Sequence, residues 1–346
     1  MKTTHNNGWS LVPAKQLKAL ASHWDGLQER SLPHAFMRSS FLLCLLEQFG
    51  QGDEWLAYRQ GASGWDAALL LQPQGKGRWN SFQPSQLPLG PVMLPADGLE
   101  ASMQSLLGAL PGFGLALGLT QLDSLAYPGR FDSPQLRQLH YIDTAWVDVD
   151  TSFDTYWEGR GKNLRQNTRK QLKKVEATGS TPRMDLIEAP AQVAEAIAQY
   201  GLLEASGWKA EIGTAISTDG AQGRFYQQAL EQAAQAGQAR IYRYWFGDEV
   251  VAMDLCVHQG DCLVILKTAY QQAHQAVSPS TLMRAEEFRA LFDEGRFKRI
   301  EFFGRVMEWH TRWTEKSRPL VHITAYRWAW LRAALDRLAR TKAPAA

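Results

Sequence analysis

Long apolar runs are absent from this chain. Phe41–Leu46 is far too short to span a bilayer, and Leu110–Leu119 is interrupted by glycines. The opening residues Met1–Asn7 lack the apolar core of a secretory signal. These absences predict a cytoplasmic protein with no transmembrane segment. Cysteine is scarce: Cys44, Cys256 and Cys262 form neither a CxxC pair nor an even set, which excludes a disulfide framework. No HExxH, GxSxG or metal-spaced Cys/His set occurs, so no metal is expected. Gly112-Phe113-Gly114 lacks the following helix and acidic partner of a dinucleotide fingerprint. Charge of one sign is also missing, since the net charge is only +2. Any attraction to polyanions must come from a local cluster. What remains is a globular composition, 45% hydrophobic and 21% charged. The 346 residues are enough for two ordinary domains, and 13 Trp are available for core and cleft walls.

Periodicity predicts mixed α/β structure. In the first half, helices are expected over Trp9–Trp24, Phe36–Phe49 and Leu99–Leu110. Strands are expected at Trp55–Arg59, Ala67–Leu71, Gly114–Leu119 and Ala145–Val149, with Pro-rich Gln83–Pro95 irregular. The second half starts with one long basic helix over Phe153–Thr178, then a short strand Arg183–Ile187 and two helices, Ala191–Ser206 and Arg224–Ala236. Three strand runs follow, Ile241–Phe246, Val250–Val257 and Cys262–Tyr270, separated by Gly247-Asp248-Glu249 and Gln259-Gly260-Asp261. Next come Ser278-Pro279-Ser280-Thr281, a helix closed by Gly295, and strands Ile300–Phe303 and Val321–Tyr326. An amphipathic helix, Ala329–Arg340, ends the pattern.

Two features point to a ligand. Ser278 suits an N-cap and Pro279 a first helical residue, which would leave the Ser280 and Thr281 amides to donate to an anion such as a pyrophosphate. The plain alternative is an ordinary helix entry that caps only itself. The second feature is a run of seven cations from Arg160 to Lys174 with no acid among them. Leu164, Thr168, Leu172 and Val175 recur at helical spacing and face the core, and Arg165, Arg169 and Lys173 stack at i, i+4 and i+8. RNA phosphate or another anionic surface would offset that repulsion; a solvated face is the simpler reading.

The order of these motifs resembles the GNAT acyltransferase superfamily. It is most similar to the double-domain branch that holds FemAB-type aminoacyltransferases and the acetyltransferase-like proteins associated with cellulose biosynthesis. The residues that carry the likeness are the basic helix, Trp208-Lys209, Lys267-Thr268-Ala269-Tyr270, Ser278-Pro279-Ser280, and Glu301-Phe302-Phe303-Gly304 followed by Trp309 and Trp313. They span roughly residues 150–315. The usual Gln/Arg-x-x-Gly-x-Gly/Ala phosphate loop is absent, Ser280 stands where Gly is common, and His310 stands where Lys is common.

The resemblance implies two GNAT-like domains side by side, residues 1–150 and 151–346, with the chemistry in the second or in a cleft. It implies transfer of an acyl group from acyl-CoA to an amine by direct attack. In that scheme Ser278, Ser280 and Thr281 hold pyrophosphate, and His274 lies near the thioester. Direct attack needs a neutral amine. Glu301, at the head of an apolar strand, is the expected base, with His310 second. Tyr270 would protonate the leaving group. Strand alternation places Lys267 on the face of Leu263 and Ile265, as a cleft cation paired with Glu301. Trp208 and Lys209 would wall the cleft. A rival reading has aminoacyl-tRNA as donor, held by Arg165, Arg169 and Lys173, and a peptide or cell-wall amine as acceptor. A third is a non-catalytic binding subunit in polysaccharide biosynthesis.

Overall fold

Runs of buried apolar residues set the strands, and glycine and proline set their ends. The structure, a computed structural model, describes residues 4–6, 8–206 and 219–342. In chain order the strands are β1 (Thr4–Asn6), β2 (Trp9–Pro13), β3 (Trp55–Gly61), β4 (Gly64–Pro73), β5 (Arg78–Ser81), β6 (Val92–Met93), β7 (Ala116–Asp123) and β8 (Leu136–Asp148). They continue as β9 (Pro182–Ile187), β10 (Ala239–Phe246), β11 (Glu249–Gln259), β12 (Cys262–Tyr270), β13 (Arg299–Glu301) and β14 (Ser317–Tyr326). The fold is mixed α/β.

Two compact units result. The first comprises Met1–Pro33, Met37–Asp143 and Arg318–Ala346, and the second His34–Phe36 and Thr144–Ser317. In the first, β2, β3, β4 and β5 pair antiparallel in sequence. The helix Leu99–Ala109 then carries the chain over to β7, which lies parallel to β5. In the second, β9, β10, β11 and β12 pair antiparallel, and the helix Pro279–Glu294 carries the chain to β13, parallel to β12. Each unit therefore repeats one plan, several antiparallel strands followed by a helical crossover.

That plan explains the observed boundary. An end at residue 150 separates β14 from its partner, yet β14 pairs antiparallel with β7 of the first unit. The second half of β8 pairs with β13 of the second unit. Each sheet is completed by a strand from a distant part of the sequence, so the boundary falls at 143/144 and residues 318–346 return to the first unit.

Two expected helices differ from the structure. Trp9–Trp24 is not one helix: Trp9–Val12 is wholly buried and pairs with β3, and Pro13 ends the strand before a short 3-10 turn and the helix Ala21–Ser31. Four successive buried residues fit a two-faced strand better than a one-faced helix. The basic helix breaks into Phe153–Glu158 and Lys162–Glu176. Gly159 closes the first piece, and Gly161 enters the second from an extended ψ of 138°.

Candidate functional site

The site lies in the second unit, where β12 parts from β13. Only Cys262–Val264 of β12 pair with Arg299–Glu301. Beyond Val264, β12 runs on to Tyr270 past the end of its pairing with β13. Beside this edge lies a cavity of about 360 Å³, bounded by Thr268 and Tyr270 of β12, by Ser278, Ser280, Thr281 and Arg284 at the start of the next helix, and by Trp309 and Trp313. A second cavity of about 430 Å³ shares Leu164, Ser278, Thr281 and Arg312 with the first. Its other walls are polar: Asn163, Asn167 and Gln171 from the basic helix, with Glu308 and Glu315.

A bulge decides which side chains of β12 reach the cavity. The β11–β12 register slips between Leu255 and Cys256: Lys267 opposes Leu255 and Ile265 opposes Cys256, so Leu266 is the extra residue. The parity flips there. Thr268, opposite Asp254, bonds to Arg284 on the cavity side, and Ile265 packs in the same core as Leu282 and Met283. Lys267 points the other way, 3.1 Å from the buried Glu204 carboxylate and over the rings of Tyr200 and Tyr226. The expectation that Lys267 shares a face with Ile265 is thus corrected, and the carboxylate found beside its ammonium is that of Glu204. Uninterrupted alternation holds only for a strand without a bulge.

The helix entry also differs. Ser278 adopts φ 48°, ψ 63°, a left-handed conformation uncommon for a residue with a side chain, and its hydroxyl makes no cap bond. Instead it receives the Gln171 amide at 3.2 Å. The Thr281 amide donates to the Ser278 carbonyl at 2.9 Å, so it is not left for a ligand. The Ser280 amide has no main-chain partner among the described residues. The anion cradle expected from two amides is reduced to one. Gly295 does close this helix, at φ 66°.

Beneath the cavity lies a charged group that sequence reasoning missed. Arg284 forms an ion pair with Asp254, both deeply buried. The same guanidinium nitrogen donates to the Thr268 hydroxyl at 2.9 Å. Glu287, one residue-turn along, is wholly buried beside them. Burial, and then the Asp254 charge, raise its pKa well above the ordinary value. The Arg284 guanidinium also lies under Trp309, 5.3 Å from the ring centroid, and 5.5 Å from Phe302. The signal was legible in outline. Asp254 interrupts the apolar run Val250–Val257, and a charge inside such a run needs a partner.

Of the expected site residues, Tyr270, Ser278, Ser280 and Thr281 are brought together. Glu301 is not. Ile300 and Phe302 belong to the core on the cavity side, so the intervening Glu301 faces away. It is 1% exposed, and Arg299 lies 3.7 Å from its carboxylate. His310 is buried under Trp309, ring centroids 3.5 Å apart, and its Nδ1 accepts the Met307 amide at 2.8 Å. Burial, and then the Arg284 charge, push its pKa down to about 4. At neutral pH the ring is uncharged, with its proton on Nε2, and is a poor base. His274 sits off the cavity wall, 3.0 Å from Glu249 and edge-on to Phe246. Trp208 and Lys209 lie outside the described residues.

On the basic helix, Leu164 and Val175 are buried and Leu172 packs on the core. Lys162, Arg169, Lys170, Lys173 and Lys174 are exposed. Arg165 is half-buried and donates to the Arg160 carbonyl at 3.1 Å. Asn163, Asn167 and Gln171 form a polar stripe between these faces and line the second cavity.

A strand thus parts from its parallel neighbour beside a helix entry and a walled cavity in this mixed α/β unit. Residues 162–310 match the family model described as an acetyltransferase (GNAT) domain. The chain has the fold of double-domain GNAT proteins. Solved structures similar to it include the C-terminal DUF2156 domain of an Agrobacterium fabrum protein provisionally assigned as a lysylphosphatidylglycerol synthetase. It is 14% identical, with a TM-score of 0.54, covering 94% of this chain and 96% of that one. L-PGS from Bacillus licheniformis is 14% identical at a TM-score of 0.50, covering 92% and 96%. FemX is 8% identical at a TM-score of 0.54, covering 82% and 89%. No curated protein matches this sequence. Among the described residues no helix is long and apolar enough to cross a membrane, and no cluster of His, Cys, Asp and Glu is arranged to hold a metal ion.

Proposed function

We propose that the second unit is an N-acyltransferase that passes an aminoacyl group from an activated ester to an amine in the paired cavities. The observation that carries this is the edge of β12 beyond Val264, past the end of its pairing with β13, which looks onto a cavity bounded by Tyr270 and the helix entry. A strand edge of this kind can recognise the amide links of an extended ligand. The polar second cavity, with Glu308 and Glu315 in its wall, suits a group that bears an amine. Tyr270, 37% exposed at the rim, is placed to give its phenolic proton to the departing oxygen as the new amide forms. The carboxylates at the second cavity, rather than Glu301 or His310, take the proton from the acceptor.

An aminoacyl-tRNA donor is favoured by the five exposed cations of the basic helix, whose polar stripe enters the second cavity. It also fits the loss of the Thr281 amide as a pyrophosphate ligand. Transfer of an aminoacyl group also accords with the likeness in fold to a domain described as that of a lysylphosphatidylglycerol synthetase. An acyl-CoA donor is the second reading, favoured by the Ser280 amide at the cavity.

Thermal shift separates the two. Stabilisation by charged tRNA that fades with salt and with Arg169→Ala/Lys173→Ala is the expected result. Stabilisation by coenzyme A that is lost in Ser280→Pro, which removes an amide donor, would replace the first donor with the second. No shift with either ligand would leave a binding subunit.

A further inference from the structure

The helix Ala329–Lys342 is amphipathic in the reverse of the usual sense. It docks on the first unit through its polar side. Arg332 pairs with Asp132 at 2.7 Å and reaches the Ser133 and Leu136 carbonyls, and Asp336 pairs with Arg137 at 2.9 Å. Its apolar side faces solvent. Trp330 is 63% exposed, Leu338 is 57% exposed, and exposed Ala334 lies between them at the i, i+4, i+8 spacing of one helical stripe. Leu335 is exposed beside them. The stripe continues into an exposed aromatic row: Trp330 stacks on Trp328 at 5.3 Å, and Trp328 meets Phe113 at 5.7 Å. A continuous apolar surface held outward by ionic docking is unusual for a monomer and marks an interaction site.

We propose that this face lies on an anionic lipid surface, with Trp328, Trp330 and Leu335 in the interfacial layer. Charge selects that occupant. Apart from Arg332 and Asp336, which are engaged in the docking pairs, residues 327–342 hold Arg327, Arg337, Arg340 and Lys342 and no acid. Exposed Arg337 follows Trp330 by seven residues and so lies on the same side of the helix. Indole rings settle at the headgroup level, and cations flanking an apolar helical face bind anionic headgroups. A second copy of this chain is disfavoured, because a two-fold contact would bring two such cation-bearing faces together.

Co-sedimentation of the full chain with vesicles tests this. Binding to vesicles that contain phosphatidylglycerol, weak binding to phosphatidylcholine alone, and loss of binding with added salt are expected. Trp330→Glu/Leu335→Glu is expected to weaken partition about tenfold or more, and Arg337→Glu by less. These side chains are exposed, so an unchanged melting temperature will establish that the variants fold. Equal sedimentation of wild type and both variants, or no sedimentation of wild type with either vesicle, overturns the proposal. So does a dimer in light scattering that Trp330→Glu/Leu335→Glu dissolves, since that assigns the face to a second copy. The measurement needs no acyl donor, so it stands or falls apart from the proposed activity.

Discussion

Arg284 and Asp254 form an ion pair under the cavity floor, with side chains 3% and 0% exposed. The pair is electrically neutral as a unit, and burial pushes the pKa of Glu287 beside it well above the ordinary value. One nitrogen of the guanidinium holds both Asp254 and the Thr268 hydroxyl. The orientation of Thr268 at the cavity is therefore tied to a charge pair that water does not reach.

Breaking that pair from one side strands a buried charge. Asp254→Asn or Arg284→Met is expected to cost about 3–5 kcal/mol in denaturant unfolding. The double variant Arg284→Met/Asp254→Leu removes both charges and is expected to recover much of that loss. Additive losses in the double variant would refute the coupling.

Glu301 and Tyr270 should separate cleanly in turnover. Tyr270→Phe is expected to lower kcat about a hundredfold with little change in melting. Glu301→Gln should leave kcat near wild type, because its carboxylate faces away from the cavity, and should lower stability by roughly 1–3 kcal/mol through its contact with Arg299. Steady-state kinetics of both variants checks the assignment. A large kcat loss in Glu301→Gln would return it to the catalytic group.

Lys267→Met tests the bulge. The Glu204 side chain is 1% exposed, so loss of its ammonium partner leaves a buried carboxylate at an expected cost of roughly 3 kcal/mol or more. Substrate KM should not move, since the lysine lies on the opposite face of β12. A selective rise in KM at wild-type stability would place Lys267 in the cavity after all.

Stability should depend on pH through buried histidines. Burial, before any neighbouring charge, pushes both His310 and His258 down from 6.5 to about 4. Between pH 6.5 and 4 the unfolded chain binds protons that the folded chain refuses, so stability falls as pH falls through that window. The linkage amounts to roughly 2–3 kcal/mol for each histidine. Glu287 acts in the opposite sense: its pKa is raised in the fold, so its contribution declines as pH rises above the carboxylate range. Glu287→Gln should remove that decline and raise stability near pH 8. Melts from pH 4 to 8 on wild type and Glu287→Gln will separate the two trends.

Sequence alone determined what depends on near neighbours. The strand β12 begins at Cys262 and ends at Tyr270, as its sequence predicts, because the Gly260 turn and the polar loop after Tyr270 end it locally. The helix closed by Gly295 and the core stripe of Leu164, Leu172 and Val175 were legible for the same reason, as were the order of motifs and the two-part plan. Tertiary structure decided what depends on partners distant in the chain. A single extra residue in β12, visible only against β11, turned Lys267 away from the cavity. The pairing of β14 with β7 moved residues 318–346 into the first unit. Arg284 and Asp254, 30 residues apart, became one group only when helix and sheet packed together. Side-chain direction follows parity, and parity is set by pairing, which no local pattern contains.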